Sequence, residues 1–191
     1  MGHRAIVAYE RDDGAFDLHY SHWGALDGPA AADRSGRNDG RDPDRWARHV
    51  FDRLGVTADD FGGRLRRSNR SAVDPDPIAA GVDFATAVDE YLDVGVHEAL
   101  FVVPRSGTVR PFLVLALDVE PVPRGEHGVL VELDPEAYAA EVERFRGWLD
   151  GSRAVLAAAV DRGLVDDPAA RSLLADQLFG YVDDERAVVP V

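Results

Sequence analysis

Residues 112–117, Phe-Leu-Val-Leu-Ala-Leu, form the most apolar run in the chain. A short apolar run bounded by turn residues reads as a strand buried on both faces, so the chain needs material to cover both. The neighbouring sequence supplies partners. Segments 98–104 and 108–119 join at Ser106-Gly107 as a hairpin, and 129–133 adds a third strand after the loop 121–128. Pro111 lacks an N–H and must lie near a strand start or on an edge. Upstream, 4–10 and 15–23 read as a second hairpin closed on Asp13-Gly14. A two-residue turn there pairs Tyr9 with Leu18, Val7 with Tyr20 and Ala5 with His22. That register puts Val7, Tyr9, Phe16, Leu18 and Tyr20 on a core face, and Ile6, Ala8, Glu10, Asp17, His19, Ser21 and Trp23 on a half-polar one.

Helices are marked by capping residues and 3.6-residue periodicity. Asp42-Pro43 opens one through Trp46, Val50, Phe51 and Leu54, stopped by Gly55. Asp83 caps a second over 84–92. Asp134-Pro135-Glu136 opens the longest, with Tyr138, Val142, Phe145, Trp148 and Leu149 on one stripe and a break expected at Gly151-Ser152. Asp167-Pro168 opens the last, through Leu173, Leu174 and Leu178. The expectation is one α+β domain over 1–182: an antiparallel sheet of two hairpins plus one strand, covered by helices, with a helical C-terminal third. Residues 24–41 read as a long loop, 62–77 as irregular and 183–191 as a tail.

Composition bounds the chemistry. The 191 residues hold 21 arginines and no lysine against 35 acidic residues, a net charge of −14. Such self-repulsion is tolerated where salt is high, since at about 1 M the screening length is roughly 3 Å. Arginine forks pair bidentately with carboxylates where lysine would not. The absence of cysteine excludes a disulfide framework, a thiolate nucleophile and Cys-ligated metal. The absence of lysine excludes a Schiff base and the phosphate-binding loop that ends in lysine. No cofactor motif is present. Without a signal core or an apolar run of membrane-spanning length, a cytoplasmic protein is expected.

Two constellations stand out. Leu18–Gly24 carries His19 and His22, with His3 close to the chain start. On a strand, an odd spacing sends His19 and His22 to opposite faces, which argues against one metal held by both. His3 and His22 are the remaining weak metal candidates. His19 with Glu10, Asp17 and Ser21 shares a face on the expected register, as general acid–base chemistry requires. The competing reading is a hydrogen-bonded sheet surface. The second constellation is a stretch over 34–70 with ten arginines, six aspartates and no glutamate. Its net charge of +4 leaves −18 on the other 154 residues. Arg64, Arg66, Arg67 and Arg70 are its densest part and suit phosphate recognition. Trp46, Asn69 and Ser71 add stacking and hydrogen-bonding groups.

The opening MGHRAIVAYERDDGAFDLHYSHWGAL, with DPDPIAAGVDF at 74–84 and HEALFVV at 97–103, resembles an uncharacterised family of small halophilic-archaeal proteins known only as a domain of unknown function. That resemblance implies a haloarchaeal setting and carries no activity or catalytic residue. The sequence is therefore read as a non-enzymatic binding protein that turns its 34–70 segment toward an anionic partner, RNA among them. The alternatives are a small hydrolase-like enzyme around a histidine of the first hairpin, and a protein–protein adaptor working through the C-terminal helices.

Overall fold

The apolar runs become strands of one seven-stranded sheet. The structure, a computed structural model, describes residues 3–22, 24–27, 29, 73–74, 76–106, 108–119, 127–182 and 186–191. Its elements are β1 (Ala5–Glu10), β2 (Phe16–Ser21), α1 (Gly24–Asp27), β3 (Ala79–Val82), α2 (Phe84–Tyr91), β4 (Ala99–Val103), β5 (Arg110–Ala116), β6 (Gly128–Glu132), α3 (Tyr138–Asp161), α4 (Asp167–Tyr181) and β7 (Val188–Pro190). The strand order is β3-β2-β1-β4-β5-β6-β7. Every pairing is antiparallel except β1 with β4, which is parallel and makes the sheet mixed. The α+β class and the helical C-terminal third follow the sequence.

Both faces of the sheet are buried. On one, Val7, Tyr9, Phe101, Leu113 and Val131 meet Val142, Phe145 and Leu149 of α3 and Leu174 and Leu178 of α4. On the other, Ile6, Ala8, Leu18, Leu100, Phe112 and Leu130 meet Ala87 and Val88 of α2, with Leu92 and Val94 beyond it. Phe101, Phe112 and Phe145 are among the largest fully buried side chains, and removing one would cost about 3–5 kcal/mol. Pro111 falls second in β5, as its missing N–H requires, and its carbonyl still accepts from Leu133 N at 2.9 Å.

The first hairpin corrects the expected register by one residue. Ala5 pairs with Ser21, Val7 with His19, Ala8 with Leu18, and Glu10 with Phe16. The cause is a three-residue loop. Arg11 N donates to Ala15 O (2.8 Å), Gly14 N donates to Arg11 O (3.3 Å), and Gly14 takes φ +80°. This is a turn followed by a left-handed glycine, not a two-residue turn on Asp13-Gly14. Because strand side chains alternate, the slip exchanges the faces of β2 relative to β1. Asp17, His19 and Ser21 now lie with Val7 and Tyr9, and Glu10 lies with Phe16 on the other side.

Three further expectations are modified. α3 runs unbroken through Gly151-Ser152. There, burial of Leu149 and Leu156 and the bond from Arg153 Nη2 to Ala116 O (2.5 Å) outweigh the cost of helical glycine. Asp134-Pro135-Glu136 forms a turn before α3, with Asp134 Oδ1 accepting from Glu136 N at 2.8 Å. The helix itself starts at Tyr138. The expected tail supplies β7, paired to β6. Asp83 caps α2 as read, accepting from Thr86 N at 2.7 Å, whereas α4 is capped by Asp166 through Ala169 N at 2.9 Å. Val155, Leu164, Leu173 and Phe179, in or beside the two C-terminal helices, are exposed. The expected helix through Trp46 lies outside the described residues.

Candidate functional site

Parallel pairing sets the starts of β1 and β4 side by side, and the antiparallel hairpin brings the end of β2 to the same place. This end of the sheet gathers residues far apart in sequence. Glu98 N donates to Arg4 O at 2.8 Å, and Ala25 N of α1 donates to His3 O at 3.1 Å. On the face covered by α3, His3 Nδ1 lies 2.9 Å from Glu98 Oε2, and Arg146 Nη2 donates to the same oxygen at 2.5 Å. Their side chains are 31%, 29% and 40% exposed, so the trio is within reach of solvent. Tyr138 stands beside them. Its hydroxyl donates to Ala25 O at 2.8 Å, and burial pushes its pKa up, which keeps it protonated.

The arrangement has a defined chemistry. With Nδ1–H donated to the carboxylate, His3 would hold its basic lone pair on Nε2. An oriented imidazole backed by a carboxylate can act as a general base.

On the opposite face of the same end, three rings cluster. Tyr20 lies 6.2 Å from His22 and 6.3 Å from His97, centroid to centroid, both edge-on, and its hydroxyl is 3.1 Å from His22 Nδ1. Asp93 N donates to His97 Nδ1 at 2.9 Å, which places the proton of a neutral ring on Nε2. Burial holds the His97 pKa below 6.5; Asp93 opposes this and the charge of Arg4 reinforces it. Strand alternation puts Arg4 on this face with Ile6 and Ala8.

The remaining sequence-derived candidates separate. His19 is only 1% exposed, its Nδ1 donates to Asp74 O at 2.7 Å, and its ring meets Tyr9 edge-on at 5.4 Å. A ring that buried presents no face to a substrate, so its geometry is that of a core histidine. Ser21 is fully buried, with Gly24 packed so closely that a Cβ there would come within 2.7 Å of its Oγ. Asp17 accepts from Arg11 (3.1 Å) and from Gly81 N (3.2 Å), tying β3 to the hairpin. Glu10, on the far side of the sheet, accepts from Arg105 N at 3.0 Å. The proposed acid–base group of His19, Glu10, Asp17 and Ser21 is therefore not assembled as one site, because the register slip removes Glu10 and the core takes His19 and Ser21. Among the described residues, no three of His, Asp and Glu are placed to hold a metal ion.

Trp23, Trp46, Arg64, Arg66, Arg67, Arg70, Asn69 and Ser71 lie outside the described residues, but the described chain on either side of the segment that carries most of them is placed. The chain departs after α1, which packs on β1 and β4. It returns at Val73, bridged to Ser21, with Asp74 N donating to Tyr20 O at 2.8 Å. Both flanks are thus tied to the end of the sheet that holds the histidines and arginines described above. Glu98, Arg146, His97 and Tyr138 escaped the sequence reading. Their partners sit tens of residues away, and only the unusual concentration of histidines around the two strand starts hinted at them.

A family model described as "Family of unknown function (DUF6735)" matches residues 1–190. No curated protein matches the chain, and no solved structure does. Among the described residues, no helix is long and apolar enough to cross a membrane.

Proposed function

The chain belongs to the family of unknown function DUF6735, and we propose that it is a haloadapted cytoplasmic binding protein for an anionic partner, with RNA as the partner class. The observation that supports this reading is that the described chain on both sides of the 34–70 segment, at Ala25 and at Val73–Asp74, is held at one end of the sheet. The described chain before and after the segment's ten arginines is held at the end of the sheet where Arg4, His3 and Arg146 lie. The 34–70 segment is net positive on a chain of −14. Guanidinium forks suit the phosphates of RNA.

The test is a gel-shift assay with RNA in 2 M KCl. Wild-type protein should retard the RNA, and Arg66→Ala combined with Arg67→Ala should measurably weaken the shift. Full retention of binding by the double variant would overturn the reading.

The pairing of His3 with Glu98 favours a second reading, a hydrolase-like enzyme centred on His3 instead of His19. Water is the nucleophile. His3 Nε2 takes its proton as the water oxygen bonds to the carbonyl carbon of a carboxylic ester, then returns a proton to the departing alkoxide. Hydrolysis of p-nitrophenyl acetate should fall at least tenfold in both His3→Gln and Glu98→Gln. Equal rates in all three proteins would sink it.

A further inference from the structure

We infer that the ring cluster of Tyr20, His22 and His97, flanked by Arg4, is a stacking surface for unpaired nucleobases. The inference rests on the RNA reading and narrows it to single-stranded RNA. A protein of net charge −14 and a polyanion repel each other as wholes, and salt concentrated enough to screen that repulsion also removes the counterion-release drive for binding. A local run of arginine therefore supplies, through bidentate phosphate contacts, only part of the net affinity. The remainder must come from contacts that salt does not weaken, and stacking of bases on aromatic rings is the principal one for single strands.

Rings are common, but here three from two separate elements meet at one end of the sheet. Tyr20 and His22 come from the end of β2, and His97 from the turn before β4. His22 is exposed and its two neighbours are half-buried. The Asp93 N–H fixes the His97 ring, and burial keeps it neutral, so the ring is preorganised and costs little to desolvate against a base. Arg4 on the same face is a guanidinium plane that can stack or meet the adjoining phosphate. Finally, Asp74 N is bonded to Tyr20 O, so the chain that follows the arginine-rich sequence meets the sheet beside the ring cluster. A duplex, whose bases are already stacked, offers nothing to these rings.

The experiment compares a fluorescein-labelled 12-nucleotide oligoadenylate with an RNA duplex of equal length, by anisotropy between 0.5 and 2 M KCl. The single strand should bind and the duplex should bind at least tenfold more weakly. His22→Ala and His97→Ala should each weaken single-strand binding about 5- to 100-fold while leaving its salt dependence unchanged. Arg66→Ala with Arg67→Ala should instead flatten the salt dependence. In case a variant is misfolded, the wild-type protein provides an independent readout. Its His22 imidazole proton signals should move upfield on addition of the oligoadenylate. Binding of RNA that is indifferent to both ring substitutions in folded variants, with unshifted His22 signals or equal affinity for duplex, overturns the stacking surface and leaves the RNA reading standing. Absence of any RNA binding by the wild type overturns both.

Discussion

Replacing Glu141 with alanine is expected to destabilise the fold by about 2–4 kcal/mol. Glu141 is 8% exposed, and its Oε2 accepts from Asp134 N and from Arg186 Nη1, each at 2.7 Å, with Arg144 Nη2 3.4 Å from Oε1. It thus joins the turn before α3, the helix itself and the chain entering β7. The backbone N–H of Asp134 loses a charged acceptor, worth about 1.5–3 kcal/mol. Breaking a fully buried ion pair would cost about 3–5 kcal/mol. Arg186 keeps 22% of its side chain exposed and a 3.4 Å contact with Glu132 O, so only part of that applies. For a chain of this length the melting temperature should fall by about 5–15 °C. Glu141→Gln keeps an acceptor for Asp134 and should lose roughly half as much. Burial opposes ionisation of Glu141, but Arg186, the Asp134 N–H and Arg144 outweigh it and hold the carboxyl below its ordinary 4.5. A lowered value means that the stabilisation is complete above 4.5 and is lost as pH falls through the folded-state value. Urea unfolding followed by circular dichroism should show the gap between wild type and Glu141→Gln at pH 7 closing below about pH 4. A loss under about 0.5 kcal/mol in the alanine variant, or a Gln gap that does not change with pH, would refute the reasoning.

Three other outcomes follow from the same structure. Burial lowers the pKa of His97 below 6.5, so the neutral ring contributes stability above 6.5 that is lost as pH falls through the folded value; between pH 7 and 5, His97→Gln should melt with a shallower pH dependence than wild type, and parallel profiles would contradict this. Gly128→Ala would set a Cβ 2.5 Å from Val94 Cγ1 and 3.0 Å from Leu115 O, at a cost of about 1–3 kcal/mol in denaturant unfolding; an unchanged midpoint would show that the site yields. Gly14→Ala meets open space but must adopt φ +80°, so about 1 kcal/mol is expected from conformation alone, and a neutral result would mean that the hairpin loop rearranges.

Local signals carried much of the fold. The strands at 98–104, 108–119 and 129–133, the Asp83 cap and the position of Pro111 each depend on residues within a few places of one another, and each lies where periodicity and capping put it. The hairpin register did not follow, because Asp13-Gly14 serves equally as the centre of a two-residue turn and as the end of a three-residue one. Only the cross-strand partners decide, and that single residue moved Glu10 away from His19. The unbroken course of α3 through Gly151 and Ser152 depends on packing that propensity does not contain. The site was the least legible part. Glu98 reads as the first residue of a strand until His3, 95 positions earlier, and Arg146, 48 later, are found on its carboxylate. β7 hid in an acidic terminus because three residues on a sheet edge leave too short a pattern to detect.

The parallel seam between β1 and β4 also sets a timetable for the growing chain. β1 is finished at Glu10, yet its partner on one side ends only at Val103, so the strand must wait while more than ninety further residues emerge. During synthesis at about 5–20 residues per second, that is a delay of several seconds or longer. Through it, Val7 and Tyr9 on one side and Ile6 and Ala8 on the other have only the hairpin for shelter. The acidic excess on either side of the arginine-rich stretch, 12 acidic residues against one arginine over 11–33 and 71–103, then acts as a guard against association between nascent chains. In this protein the order of the strands along the gene makes solubility before folding as pressing a requirement as stability after it.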